Sequence, residues 1–137
     1  MKVRKFGYWA LTALVAFAFG VGGVVDLLHG PDVVAGMAHL GYPLYLATLL
    51  GVWKVLGAIA VLVPGFPRVK EWAYAGMAFD LTGAAFSHAS SGDAASHVLT
   101  PIIVLALVIG SYLLRPAQRR LSLESARTED AQRLATA

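Results

Sequence analysis

The chain has 137 residues, 58% of them hydrophobic and 14% charged, a balance too apolar for a soluble domain that must cover itself with polar side chains. Its net charge of +3 comes from short basic clusters beside apolar runs, a placement that orients a chain in a bilayer and argues against nucleic-acid binding. There is no cysteine, which excludes dithiol exchange, iron–sulfur clusters and thiolate metal sites within the chain itself, so any redox chemistry needs a quinone, another cofactor or a partner.

A helix needs about 20 apolar residues to cross the hydrocarbon of a bilayer. Four stretches approach that length: Phe6 to Leu28, Leu44 to Val63, Glu71 to Ala89 and Val98 to Leu114. Turn chemistry separates them, with His29-Gly30-Pro31 and Gly41-Tyr42-Pro43 in the first connection, Pro64-Gly65-Phe66-Pro67 in the second and Ser90-Ser91-Gly92-Asp93 in the third. Within the first connection Val33, Val34, Met37 and Leu40 recur at helical spacing after Pro31, which predicts a short helix on the outer surface. Short connections make consecutive helices antiparallel neighbours. The expected fold is therefore all-α, an integral membrane four-helix bundle running up and down over residues 1–115, followed by a polar cytoplasmic tail over 116–137. In that tail Arg127, Glu129, Asp130 and Arg133 are interspersed and apolar residues are sparse, so it reads as solvated, partly helical at most and dispensable for the fold.

Lys2, Arg4 and Lys5 precede the first span, Arg68 and Lys70 lie between the second and third, and Arg115, Arg119 and Arg120 follow the fourth, whereas the other two connections hold neither Lys nor Arg. The positive-inside rule then puts both termini in the cytoplasm of a bacterial-type inner membrane, with the loops around His29 to Pro43 and Ser90 to His97 outside. Ala16-Phe17-Ala18 has the shape of a signal-peptide cleavage site, but the apolar run continues well past it, so the first span is expected to be retained.

Lys54 and Asp80 each fall about halfway along a span, and in antiparallel neighbours they reach similar depth. A lone charge at the bilayer centre costs about 2.5–3.5 kcal/mol on insertion scales, so both should face the interior and each other. Small residues flank each one, Gly51, Gly57 and Ala58 around Lys54 and Gly76, Gly83 and Ala84 around Asp80, as close backbone approach requires. Such a pair serves either helix register alone or a proton or ligand site.

A second constellation lies at the outer ends, where Asp26 and His29 finish the first span, His88 finishes the third and His97 opens the fourth, with His39 in the loop. Asp and His in one layer can polarise a quinone carbonyl, relay protons or bind a metal. The zinc spacings H-E-x-x-H and H-x-x-E-H are absent, so no metal site is assigned. Gly20-Val21-Gly22-Gly23 reads as a close-packing surface, within the chain or in a homo-oligomer. Tyr8, Trp9, Tyr42, Tyr45, Trp72 and Tyr112 fit an aromatic belt, and Ser87 has no basic neighbour at nucleophile spacing.

The stretch from Gly51-Val52-Trp53-Lys54 to Gly57-Ala58, then Pro64 to Gly76, then Phe79-Asp80-Leu81-Thr82-Gly83-Ala84 and Ser87-His88, with His39-Leu40-Gly41-Tyr42-Pro43 before it, resembles the DoxX-like family. That resemblance implies a four-helix membrane protein. It also implies a redox association, since relatives accompany terminal oxidase, thiosulfate:quinone oxidoreductase and oxidant-defence complexes, while another relative resembles a receptor-assembly chaperone; it transfers no catalytic residue. The leading expectation is an accessory subunit of a membrane redox complex, not a stand-alone enzyme, that binds quinone or another small apolar ligand. Lys54 and Asp80 would form the polar floor of that site, and Asp26, His88 and His97 its upper part. The rivals are a membrane-protein assembly factor without a ligand and a small-solute transporter, the latter weakened by having four spans and no inverted repeat with broken helices.

Overall fold

The computed structural model describes residues 1–121 and 130–136, so Arg127 and Glu129 of the expected tail lie outside the described residues. Among residues 1–121, five α-helices follow one another, α1 (Lys2–Leu28), α2 (Pro31–His39), α3 (Leu44–Leu62), α4 (Pro67–Ser90) and α5 (Ala95–Leu114), followed by a 3₁₀ turn over Ala117–Arg119; residues 130–135 are also helical. No strand occurs among the described residues. The short helix expected after Pro31 is α2, which starts with that proline in the first-turn position and touches α3 without burying any of its own residues.

Three helices, α1, α3 and α5, are long and apolar enough to cross a membrane. The third expected span, within α4, is not among them. This helix of 24 residues is long enough but carries Arg68, Lys70, Glu71 and Asp80. Its inner charges are turned onto neighbouring helices. Lys70, almost wholly buried, donates from Nζ to the Ala60 carbonyl at 2.8 Å and to that of Val63, capping the C-terminus of α3. Glu71 accepts from the buried Arg115 at 2.7 Å, and Asp80 faces Lys54.

Helix α1 packs against α3 and α5, and α4 packs against the same two. The core where they meet holds Val15 and Phe19 of α1, Ala58 and Val61 of α3, Tyr74, Met77 and Leu81 of α4, and Val108 of α5. Part of the packing is polar. Thr12 Oγ1 and Tyr74 OH each lie 2.7 Å from Ser111 Oγ, and Thr12 also donates to the Tyr8 carbonyl at 2.7 Å, so a buried hydroxyl network ties α1, α4 and α5 together. Outside the core, Phe17, Trp53, Trp72, Phe79 and Phe86 are all exposed, a surface suited to lipid rather than water.

Local geometry explains the turns. Helix α1 ends on His29 in the left-handed conformation, φ 49°. At the end of α4, Gly92 takes φ 72° and the Asp93 N–H reaches back 3.1 Å to the His88 carbonyl, a Schellman closure that folds Asp93 over the last turn. Within α5, Pro101 is buried and has no N–H, so the His97 carbonyl lacks its intrahelical partner.

Candidate functional site

Three helices deliver three charges to one place. Lys54 Nζ on α3 lies 2.8 Å from Asp26 Oδ2 on α1 and 3.8 Å from Asp80 Oδ2 on α4. The backbones permit this because Gly23 and Gly51 lie against each other one turn away from Asp26 and Lys54; a Cβ on either would sit 2.8 Å from the other's carbonyl oxygen. Lys54 thus stands between the two carboxylates and is closer to Asp26. Sequence position alone had put Asp26 with the histidines of the outer layer. Two carboxylates against one ammonium leave the trio with an excess negative charge in formal terms. Each side chain is about one-fifth exposed, so the trio is reachable from outside the core.

Lys54 and Asp80, though not Asp26, are reachable from a particular side. A groove of about 480 Å³ runs between α3 and α4, and its walls are Phe19, Trp53, Trp72, Met77 and Phe79 with smaller apolar residues. Among the described residues, Lys54 and Asp80 are the only charged ones lining it. Gly57 and Gly76 keep its walls low, with Met77 Cε filling the space beside Gly57 and nothing over Gly76. An apolar body with one polar end fits such a surface, its polar end at Lys54 and Asp80.

The histidines form a separate cluster at the α2 end. Asp93 accepts from His88 Nδ1 through Oδ2 and from His39 Nε2 through Oδ1, both at 2.6 Å. These hydrogen bonds, first that of His88 and then that of His39, hold the Asp93 carboxyl below the usual carboxylate range. The His97 ring lies 5.5 Å from that of His88. His29 Nε2 is 2.8 Å from Thr48 Oγ1, and Tyr42 OH is 2.7 Å from Ser87 Oγ. Among the described residues no three His, Asp or Glu side chains are arranged to hold a metal ion. Of the five site residues expected from the sequence, the structure brings Lys54, Asp80 and Asp26 together and sets His88 beside His97, but neither histidine lines the groove.

Asp93 is the residue that sequence reading missed. It stood in a Ser-Ser-Gly-Asp turn and read as turn chemistry; the spacing of five residues from His88 across a Gly is the signal that a Schellman closure will pair them. The glycines Gly20 and Gly23 pack within the chain, Gly20 toward Ala58 and Gly23 against Gly51, while Gly22 faces nothing within 4 Å.

No curated protein and no solved structure matches the chain. The sequence profile of the DoxX-like family matches residues 10–111, a stretch that includes α2, α3 and α4 entire, Asp26, Lys54 and Asp80, and the cluster around Asp93. On that match over most of its length, the chain belongs to the DoxX-like family.

Proposed function

We propose that this membrane protein is an accessory subunit of a redox complex that takes a quinone, or a similar flat apolar molecule with a polar end, from the bilayer into the groove between α3 and α4. The observation that carries this reading is the groove itself, apolar along its walls and, among the described residues, charged only at Lys54 and Asp80. Lys54 has three N–H donors and spends one on Asp26, which leaves donors for a ligand carbonyl. Trp53, Trp72 and Phe79 are exposed at its rim, so the ligand enters sideways from lipid. A bound quinone supplies a mobile two-electron carrier; this chain's residues bind it, orient its carbonyl toward Lys54 and keep the ring in an apolar slot. The His88–Asp93–His39 cluster exchanges protons with the outside.

The same reading makes the protein a four-helix bundle of antiparallel spans in a bacterial-type inner membrane, with both termini cytoplasmic. Its support is the turning of α4's charges onto α3, α5 and Lys54, which lowers the cost of a fourth span, and the confinement of Lys and Arg to alternate connections.

Because Trp53 and Trp72 line the groove, their fluorescence reports on it. A short-chain benzoquinone titrated into the detergent-solubilised protein should quench saturably, and Lys54→Met should weaken the apparent affinity by about tenfold or more, the worth of one hydrogen bond to a charged group. Quenching that is linear in quinone and equal in both proteins would reject the ligand site and favour the assembly-factor reading.

A further inference from the structure

We infer that the end of the molecule where α1 begins and α5 finishes holds a binding site for the phosphate of an anionic phospholipid headgroup. A cleft of about 660 Å³ opens there, and six of its lining residues are cationic: Lys2, Arg4, Lys5, Arg115, Arg119 and Arg120. Orientation in a bilayer accounts for basic residues near a span, but not for the way these converge. Arg4 Nη2 and Arg120 Nη2 donate to one and the same acceptor, the Leu113 carbonyl, at 3.3 and 2.8 Å. Two guanidiniums drawn to one oxygen repel each other, and a neutral carbonyl does little to offset that.

No Asp or Glu lines the cleft among the described residues. Among the described residues, Glu71 pairs with the cleft residue Arg115 at 2.7 Å and is thereby engaged. Arg119 is held by the Val61 and Leu62 carbonyls and by the faces of Trp9 and Tyr8, at 4.6 and 5.9 Å from the ring centres, which fixes its charge in place. Arg120 is held likewise through Nε by the Arg115 carbonyl at 2.8 Å. A preset group of guanidiniums with no carboxylate lining its cleft among the described residues matches a phosphate, whose oxygens accept paired N–H donors. The exposed Val3 and Phe6 on the first turns of α1, with Trp9 in the cleft wall, supply an apolar flank for acyl chains. A phospholipid, rather than a free phosphate ion, uses both features. The site is remote in sequence from Lys54 and Asp80 and does not depend on the quinone reading.

The test uses the full chain in nanodiscs of equimolar phosphatidylcholine and phosphatidylglycerol, released and weighed by native mass spectrometry. The wild type should keep phosphatidylglycerol in preference to phosphatidylcholine, and the double variant Arg4→Gln/Arg120→Gln should lose that preference by about tenfold or more. Arg133→Gln, outside the cleft, should behave as wild type. If the Gln pair fails to fold, Lys2→Gln/Lys5→Gln reads the same loss, since both lysines line the cleft and neither lysine side chain makes a hydrogen bond among the described residues. Equal retention of the two lipids by the wild type would overturn the inference, as would full displacement of phosphatidylglycerol by inorganic phosphate, which would identify the site as one for the free ion.

Discussion

Gly23 on α1 and Gly51 on α3 touch backbone to backbone, each leaving no space for a Cβ on the other. The contact sets the distance across which Lys54 reaches Asp26. Replacing Gly23 by Ala should therefore destabilise the protein by about 1–3 kcal/mol through overpacking. Gly22→Ala, one residue away with nothing within 4 Å, should be neutral or slightly stabilising because Ala is the better helix former. Thermal unfolding of both variants in detergent, followed by circular dichroism, checks the pair; equal effects would show that helix propensity and not the crossing decides.

Removing Lys54 leaves Asp26 and Asp80 facing each other without a cation. Lys54→Met should cost about 3 kcal/mol or more, in the range for breaking a buried ion pair by deleting one partner. Adding Asp26→Leu should recover part of that loss, because the carboxylate that lost its partner is removed with it. A double-mutant cycle on melting temperatures measures the coupling, and simple additivity would mean that Asp26 and Lys54 do not interact in the membrane.

Ser111 is the node of the buried hydroxyl network. Ser111→Ala should cost about 1–3 kcal/mol, since Tyr74 is left in the core without its partner. Tyr74→Phe, which removes the hydroxyl itself, should cost less. The order of the two melting temperatures decides whether the network or packing dominates there.

The loop at Asp93 gives a pH dependence with a definite sign. Its carboxyl is held low in the folded protein by His88 and His39, so its contribution to stability is present above the ordinary carboxylate pKa of about 3.9. It is lost as pH falls through the lower folded value. The wild type should thus show an acid-side fall in melting temperature that Asp93→Asn lacks, measured from neutral pH downward in one buffer series. An identical fall in both proteins would assign the acid sensitivity elsewhere.

The helices were readable because apolar length and turn residues are local signals. Expected spans and observed helices share their ends within a few residues, as with Leu44–Leu62, and Pro31 announced α2. Helix α4 shows the limit of such reading, because hydropathy counts Lys70, Glu71 and Asp80 as costs while their partners lie on other helices. The grouping of the candidate residues was legible in part, their charges more than their partners. Mid-span position marked Lys54 and Asp80, but whether Asp26 reaches Lys54 depends on the Gly23–Gly51 approach, which no single segment encodes. Arg115 and Arg119 read only as topology signals, yet Arg115 is buried between Tyr74 and Tyr112 and Arg119 caps α3 from the segment expected to be solvated. Thr12 and Ser111, separated by 99 positions, give no signal at all, since a hydroxyl in an apolar helix bonds its own backbone as readily.

Pro101 has a mechanical consequence for α5. Near its far end the helix is bolted to α1 and α4 through Ser111, while near its start the ladder lacks the rung between His97 and Pro101. A rod fixed at one end and notched at the other bends at the notch. The first turn of α5 is the compliant part, and it carries the His97 ring that lies against His88. Movement there can part the two rings while the Thr12–Ser111–Tyr74 anchor stays in place, so the histidine layer and the deep core can respond to different forces within one continuous helix.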